Sequence, residues 1–276
     1  MARRFVPACL VFVCACTPGP EDGAREAPTA IVGGQVAAPG EWPTAVSSGR
    51  CDGTLVHPRL VTTAAHCLAR GGPGSFAFGE ARDHAVRVVP VDRCVGHPDH
   101  ERRKGADVAF CLLREAVDDV PIVPVLSTCE AAEHLTPGAT AILVGFGAAG
   151  EDEPGGGLKR WVEVPVHGTQ AGAREVLVGT REKGACTGDS GGPAFLELPG
   201  GAWRVFGVSS RMAPSTDLGP ADPCAGKAIY TSIAAHLVWI EESSGIDLTP
   251  FEEERCPPPL GLHEGALDFR RAPIAL

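Results

Sequence analysis

Ser190 stands in the run Gly184-Ala185-Cys186-Thr187-Gly188-Asp189-Ser190-Gly191-Gly192-Pro193. Glycines around it let the backbone turn tightly and leave N–H groups unobstructed. An acyl-transfer nucleophile needs an exposed hydroxyl and backbone donors aimed at the oxygen that becomes negative in the transition state. The same composition is also good turn chemistry, so this stretch alone fits a nucleophile and a loop equally well. A base and an orienting acid elsewhere separate the two. They are found upstream, in Val61-Thr62-Thr63-Ala64-Ala65-His66-Cys67 and in Gly105-Ala106-Asp107-Val108-Ala109-Phe110. The order His, Asp, Ser with wide gaps fits a triad in which histidine takes the serine proton and aspartate holds the imidazole.

Gly188-Asp189-Ser190-Gly191-Gly192 also fits G-x-S-x-G, a nucleophile elbow between a strand and a helix. That fold places its acid and histidine after the serine, whereas only His236 and His263 follow Ser190. The flanking segments read as short strands and turns rather than alternating strands and helices. The elbow is set aside.

The motifs resemble those of the trypsin/chymotrypsin-like serine proteases. Besides the three triad segments, Ile31-Val32-Gly33-Gly34 is similar to the mature amino terminus of that family. Cys51-Asp52-Gly53-Thr54-Leu55-Val56 is similar to the strand paired to the histidine loop. Gly145-Phe146-Gly147 is similar to its Gly-Trp-Gly, and Ile229-Tyr230-Thr231 to the strand behind its specificity pocket. The resemblance covers residues 31–245, and several motifs in the right order are far more specific than one. It implies two antiparallel six-stranded β-barrels with the active site between them and a C-terminal helix.

It also implies roles. Ser190 would be the nucleophile, His66 the base and Asp107 its orienting partner, with the N–H groups of Gly188 and Ser190 as the oxyanion hole. Ser210 would hydrogen-bond the triad aspartate at the edge of the substrate pocket. Asp189 would pair with the α-amino group of Ile31 once the chain is cut before that residue, because a buried acid beside the nucleophile is costly unless paired. The substrate pocket would be formed by Gly184, Ala185, Ser210, Arg211, Met212 and Ala228. Gly184 stands where trypsin-like members carry an aspartate. Arg211 replaces a tryptophan, and Met212 and Ala228 replace glycines. An uncharged pocket narrowed by a methionine favours small or medium apolar side chains, as in elastases.

The elements that must position these residues are short apolar or β-branched runs broken by Gly, Pro and Asp. They are Thr54–Val56, Arg59–Thr62, Ala85–Val91, Val108–Leu113, Ala141–Val144, Trp161–Val166, Ala194–Leu198, Trp203–Val208 and Ala228–Thr231. Such density of turn-punctuated strands argues an all-β sandwich or barrel. One helix is expected, over Ser232–Glu242, where Ile233, His236, Leu237 and Ile240 recur at helical spacing. Residues 246–276 carry no periodicity and are expected to form a surface tail.

The amino terminus reads as a targeting segment. Arg3-Arg4 precede an apolar run from Phe5 to Ala15, too short to span a bilayer as a helix. Val13-Cys14-Ala15-Cys16 resembles a lipoprotein signal in which Cys16 is lipidated; an ordinary secretory signal is the other reading. Residues 1–16 are then the signal, 17–30 a propeptide or linker, 31–245 the protease domain and 246–276 the tail. The chain is expected to be exported, either secreted or lipid-anchored at the cell envelope. Ala30 precedes Ile31, so the activating cut would follow a small apolar residue, matching the pocket inferred for the chain itself.

The chain has 11 cysteines; with Cys9, Cys14 and Cys16 in the signal, 11 − 3 leaves eight, an even number that suits a disulfide framework in an exported protein. The resemblance implies Cys51–Cys67 and Cys186–Cys224. Cys94 and Cys111, on neighbouring apolar segments, are candidates for a third pair, and Cys129–Cys256 remains by elimination. A further family bridge is missing, with Ala141 and Leu196 at its two ends. Cys94-Val95-Gly96-His97-Pro98-Asp99-His100 has metal-like spacing, but His97-Pro98 resembles a family turn. No metal or other cofactor is expected.

Lys+Arg 24 against Asp+Glu 34 gives a net charge of −10, and no basic patch large enough for a phosphate backbone appears, which argues against nucleic acid. Glu101-Arg102-Arg103-Lys104 reads as a solvated loop. The partners expected are protein or peptide substrates, with membrane contact only through Cys16 and the protein a monomer. Serine endopeptidase is the leading function. The alternatives are a catalytically silent homologue serving as a binding module, its cleft occluded by Arg211 and Met212, and an esterase on the same site.

Overall fold

In Ala109–Leu113 every residue is buried, and the side chains divide by parity. Phe110 and Leu112 join one apolar cluster, Cys111 and Leu113 another. Because strand side chains alternate in direction, such a run must have apolar matter on both faces, and here these are a barrel interior and an inter-barrel core. The computed structural model describes residues 31–69, 71–147, 157–214, 224 and 226–249.

The strands in chain order are β1 (Gln35–Val36), β2 (Ala45–Ser47), β3 (Asp52–His57), β4 (Leu60–Thr63), β5 (Ser75–Phe78), β6 (Arg87–Gly96) and β7 (Ala109–Leu113). They are followed by β8 (Thr140–Gly145), β9 (Arg160–Gln170), β10 (Glu175–Val178), β11 (Pro193–Glu197), β12 (Trp203–Met212) and β13 (Ala228–Ser232). The first barrel closes in the order β2-β3-β4-β7-β6-β5. The second runs β9-β10-β13-β12-β11-β8 and closes through β8–β9, with β1 added outside β9. All named pairings are antiparallel. Two six-stranded barrels and a C-terminal helix are the architecture expected from the sequence.

Phe76, Phe78, Leu55, Val61 and Val89 fill the first barrel. Leu143, Val164, Val176, Phe206 and Tyr230 fill the second. Between them Trp42 stacks on Phe195 at 5.0 Å and meets Trp203 edge-on at 5.3 Å, fixing how the barrels face each other. Ala141 and Leu196, where the missing bridge would have been, are direct cross-strand partners on β8 and β11.

Two details correct the expected elements. The strand β13 continues to Ser232, paired with Gly207, so the helix starts later: a 3₁₀ turn at Ala234–His236 leads into α2 (Leu237–Ser244). It is also not alone. Helix α1 (Thr128–His134) lies in the link between barrels, opened by a capping box in which Glu130 N–H donates to Ser127 Oγ (3.3 Å) and Ser127 N–H to Glu130 Oε2 (2.9 Å). Ser127-x-x-Glu130 was a legible signal, but seven residues are too few to display a helical period. The expected strands left out β1, β2, β5 and β10, the longest of which has four residues. Among the described residues no helix is long and apolar enough to cross a membrane. Of the tail only residues 246–249 are described; Leu248 there is buried, its N–H donating to Glu241 Oε1 (2.9 Å).

Candidate active site

His66 lies in a 3₁₀ turn, Ala65–Leu68, just after β4, and Asp107 two residues before β7. Because Thr63 pairs with Ala109 across these strands, the two ends project from one edge of the first barrel. The Asp107 carboxylate grips His66 twice. Oδ1 accepts the His66 backbone N–H (2.9 Å), and Oδ2 lies 2.8 Å from Nδ1. Ser210, on β12 of the second barrel, donates its Oγ–H to the same Oδ2 at 2.6 Å. Burial alone would raise the Asp107 carboxyl. The hydrogen bond and charge of His66, with the Ser210 bond, outweigh it and hold the group below its ordinary value. The Asp107 bond in turn raises His66. A Nδ1–H committed to Asp107 leaves Nε2 as the acceptor of an incoming proton.

Ser190 precedes β11, and its carbonyl accepts the N–H of Asp52 at 2.7 Å. The neighbouring Cys51 is bridged to Cys67, next to His66, so the serine loop and the histidine turn hang from adjacent points of β3. Gly191 has φ +84, and a Cβ there would strike Asp52 O and Thr63 Oγ1, so no other residue fits. Asp189 N–H donates to Cys186 O (3.2 Å), while among the described residues the N–H groups of Gly188 and Ser190 on either side have no acceptor. Two uncommitted donors flanking one committed donor have the makings of an oxyanion hole.

Asp189 is fully buried. Its Oδ2 accepts Cys186 N–H (2.8 Å) and Ile31 N–H (3.1 Å), and its Oδ1 accepts Gly147 N–H (3.0 Å). Burial pushes the carboxyl up to about 6, and the three N–H bonds keep it from rising further. Ile31 itself is wholly buried.

A family model described as trypsin matches residues 31–240. The chain belongs to the trypsin family. Human serine protease 56 is 31% identical over 239 residues, covering 77% of this chain and 38% of that protein. Human transmembrane protease serine 5 is 31% identical over 253 residues, covering 81% and 54%. Human chymotrypsin-like elastase family member 3A is 25% identical over 272 residues, covering 88% and 98%. The chain thus spans about half or less of the first two and nearly all of the third. Fold and kinship support a proteolytic function.

In this trypsin-family protein the residues expected to form the substrate pocket lie on the second barrel, from the end of β10 to the start of β13. Ala185 and Ala228 are buried in the core of the second barrel, and Met212 packs against the same cluster, half-buried. Gly184 is buried, its N–H donating to Val32 O at 3.1 Å. Arg211 is drawn aside by the buried Glu175, with Nη2 2.8 Å from Oε1. Cys94–Cys111 and Cys186–Cys224 are bridged as expected. Cys129 is disulfide-bonded too, while Cys256 lies outside the described residues, as do Cys16 and Ala30. Among the described residues the one cluster with metal-ligand spacing is Cys51, His66 and Cys67, and its two cysteines are spent in a disulfide.

Sequence reasoning missed two buried charges here. Asp52, on β3, accepts Phe146 N–H at 2.7 Å, and burial, then the neighbouring Asp189, pushes its carboxyl well above its ordinary value. Both carboxylates hold the Gly145–Gly147 turn, Asp52 through Phe146 and Asp189 through Gly147. Lys159 is buried under the Phe146 ring, donates to Glu41 O and Trp42 O (3.2 and 3.0 Å), and is pulled down to about 8 by burial. An acid directly after Cys51 in an apolar run was the available signal for Asp52; Leu158-Lys159-Arg160 offered none.

His236 braces the site from behind. It lies 2.6 Å through Nε2 from Gly105 O, two residues before Asp107, and its ring meets His97 at 4.8 Å. His97 is therefore packed into the core. Burial pulls His236 down to about 4, with His97, Arg174 and Arg103 adding to the effect against the Gly105 bond. The folded value lies below the ordinary 6.5, so the folded state binds fewer protons than the unfolded one between these two values. The contribution is complete above that window and is lost as pH falls through it, by up to ~3 kcal/mol. Thermal melts from pH 7 to 4 should show a steeper loss for the native protein than for His236→Gln; parallel curves would contradict this.

Proposed function

We propose that the chain is a serine endopeptidase. Ser190 Oγ attacks the peptide carbonyl while His66 Nε2 takes its proton, forming the tetrahedral intermediate. The N–H groups of Gly188 and Ser190 receive the oxyanion, a contribution of roughly 3–4 kcal/mol per donor in comparable sites. His66 then returns the proton to the leaving amine. The acyl-enzyme is released by water with His66 again as base, and Asp107 stabilises the imidazolium throughout. The observation that carries this reading is the double grip of Asp107 on His66, which fixes the tautomer that a general base requires.

The residue bound before the scissile bond is apolar and small or medium in size. An arginine or lysine would meet no carboxylate at Gly184, and an unpaired cation among Ala185, Ala228 and Met212 is strongly disfavoured. A peptide-library profile should show Ala, Val or Leu there, and one dominated by Arg or Lys would refute the assignment. The same preparation, treated with a fluorophosphonate, should label at Ser190.

Maturation belongs to the same proposal. The chain is exported, secreted or held by a lipid on Cys16, and is cut after Ala30 by itself or by an enzyme of like preference. Residues 17–30 contain no cysteine, so a cut there would also release a lipid-tethered catalytic domain.

A further inference from the structure

β12 outlasts its partner β11. The ladder between them ends where Pro193 meets Val208, followed by the reciprocal bonds of Ser209 with Gly191 and Gly192. Beyond that point, among the described residues, Arg211 and Met212 are laddered only on the β13 side, to Ile229 and Ala228. The other edge is open for strand addition by an extended peptide. Ser210, whose Oγ touches Asp107, marks the catalytic end of this edge. Paired antiparallel, as every named strand pair here is, a bound chain runs toward Ser210 with its C-terminal side, so at ~3.3 Å per residue it passes Arg211 about two to four residues upstream of the bond being cut.

The charge along this edge is unusual for the molecule. Glu175 is 1% exposed and both its oxygens are occupied, Oε1 by Arg211 and Oε2 by Gln170 Nε2 at 3.0 Å. It therefore fixes the guanidinium from below, while the Arg211 side chain stays 41% exposed. Arg174 lies next to Glu175 in the chain and donates through Nε to Lys104 O (3.3 Å), tying the loop of the exposed Lys104 to the start of β10. Arg211, held by one buried carboxylate, thus keeps an exposed guanidinium at this edge, with Arg174 adjoining that carboxylate in the chain and Lys104 tied to Arg174, on a chain of net charge −10.

We propose that Arg211, supported by Lys104 and Arg174, forms a subsite for an acidic side chain, so that favoured substrates carry Asp or Glu two to four residues before the scissile bond. This rests on the peptidase reading and adds a substrate class to it. Fluorogenic peptides differing only by Glu or Lys at the second, third or fourth upstream position would test it. At one of these positions kcat/KM should favour Glu by about fivefold at low salt, and the ratio should shrink toward one near ~1 M salt, where exposed charges are screened. Arg211→Gln combined with Glu175→Gln removes cation and buried acid together, leaving no unpaired buried charge, and should bring the ratio to about one. Lys104→Gln, at an exposed position, should lower it in part even if the double variant folds poorly. A fluorophosphonate-labelled enzyme that cleaves all peptides without acidic preference, or whose preference survives both variants, overturns the subsite alone. A preparation that neither labels nor cleaves overturns the peptidase reading and the subsite with it.

Discussion

Peptide hydrolysis by Ser190→Ala is expected to fall at least about a thousandfold, with the melting transition essentially unchanged when both proteins have been cut before Ile31. Members of a triad act as a unit, so removing the nucleophile forfeits nearly everything the base and its orienting acid contribute. Folding should be spared because the structural ties of this loop are main-chain: Ser190 O to Asp52 N–H, Gly191 N–H to Ser209 O and Gly192 N–H to Asp189 O. An alanine hydroxyl-deletion leaves all three. His66→Ala should be equally damaging, and Asp107→Asn nearly so, since an amide that donates toward Nδ1 selects the wrong tautomer. Steady-state kinetics on an apolar-site peptide, beside thermal melts of the same samples, would decide. A Ser190→Ala protein with near-native turnover would end the central assignment.

Asp189→Asn is expected to lower kcat/KM by about a hundred- to several thousandfold, the equivalent of the ~3–5 kcal/mol lost when one partner of a buried ion pair is removed. In the uncut chain the donor 3.1 Å from Asp189 is an amide N–H of Ile31. It cannot neutralise the carboxylate, which burial raises from 3.8 to about 6. The folded value exceeds the unfolded one, so the folded state holds its proton more tightly and the uncut chain loses stability as pH rises through that window. The loss reaches ~3 kcal/mol by neutral pH. Cutting before Ile31 would convert the same nitrogen to an ammonium and reverse this cost. Cut protein should therefore gain more thermal stability over uncut protein at pH 8 than at pH 5, and active material should begin at Ile31 on amino-terminal sequencing. Full activity in Asp189→Asn, or active protein beginning well upstream of Ile31, would exclude the scheme. Processing that persists in purified Ser190→Ala would exclude self-cleavage.

The candidate site was legible in the sequence because it depends on local signals. Glycines around Ser190, Ala-Ala before His66 and an apolar run after Asp107 each report a short backbone conformation or a buried strand. Their order then selects the fold, and with it the two barrels. The cross-strand contact of Ala141 with Leu196 agrees with the family bridge that the resemblance places between those two positions.

The short strands β1, β2, β5 and β10, and α1 apart from its capping box, were not read from the sequence, because their stability comes from neighbours in the fold rather than from their own periodicity. Nor could sequence show that Asp52 and Lys159 are interior. Each is a charged residue whose burial is made tolerable by groups far along the chain, Phe146 for Asp52 and Glu41 and Trp42 for Lys159. The sequence led to the expectation of Arg211 at the substrate pocket; only the tertiary structure, by setting the buried Glu175 of β10 beneath it, decided which way its charge is held. Local patterns determine which groups are present and on which element. The direction of a long side chain and the charge state of a buried acid are set by distant partners, which the chain acquires only on closing its barrels.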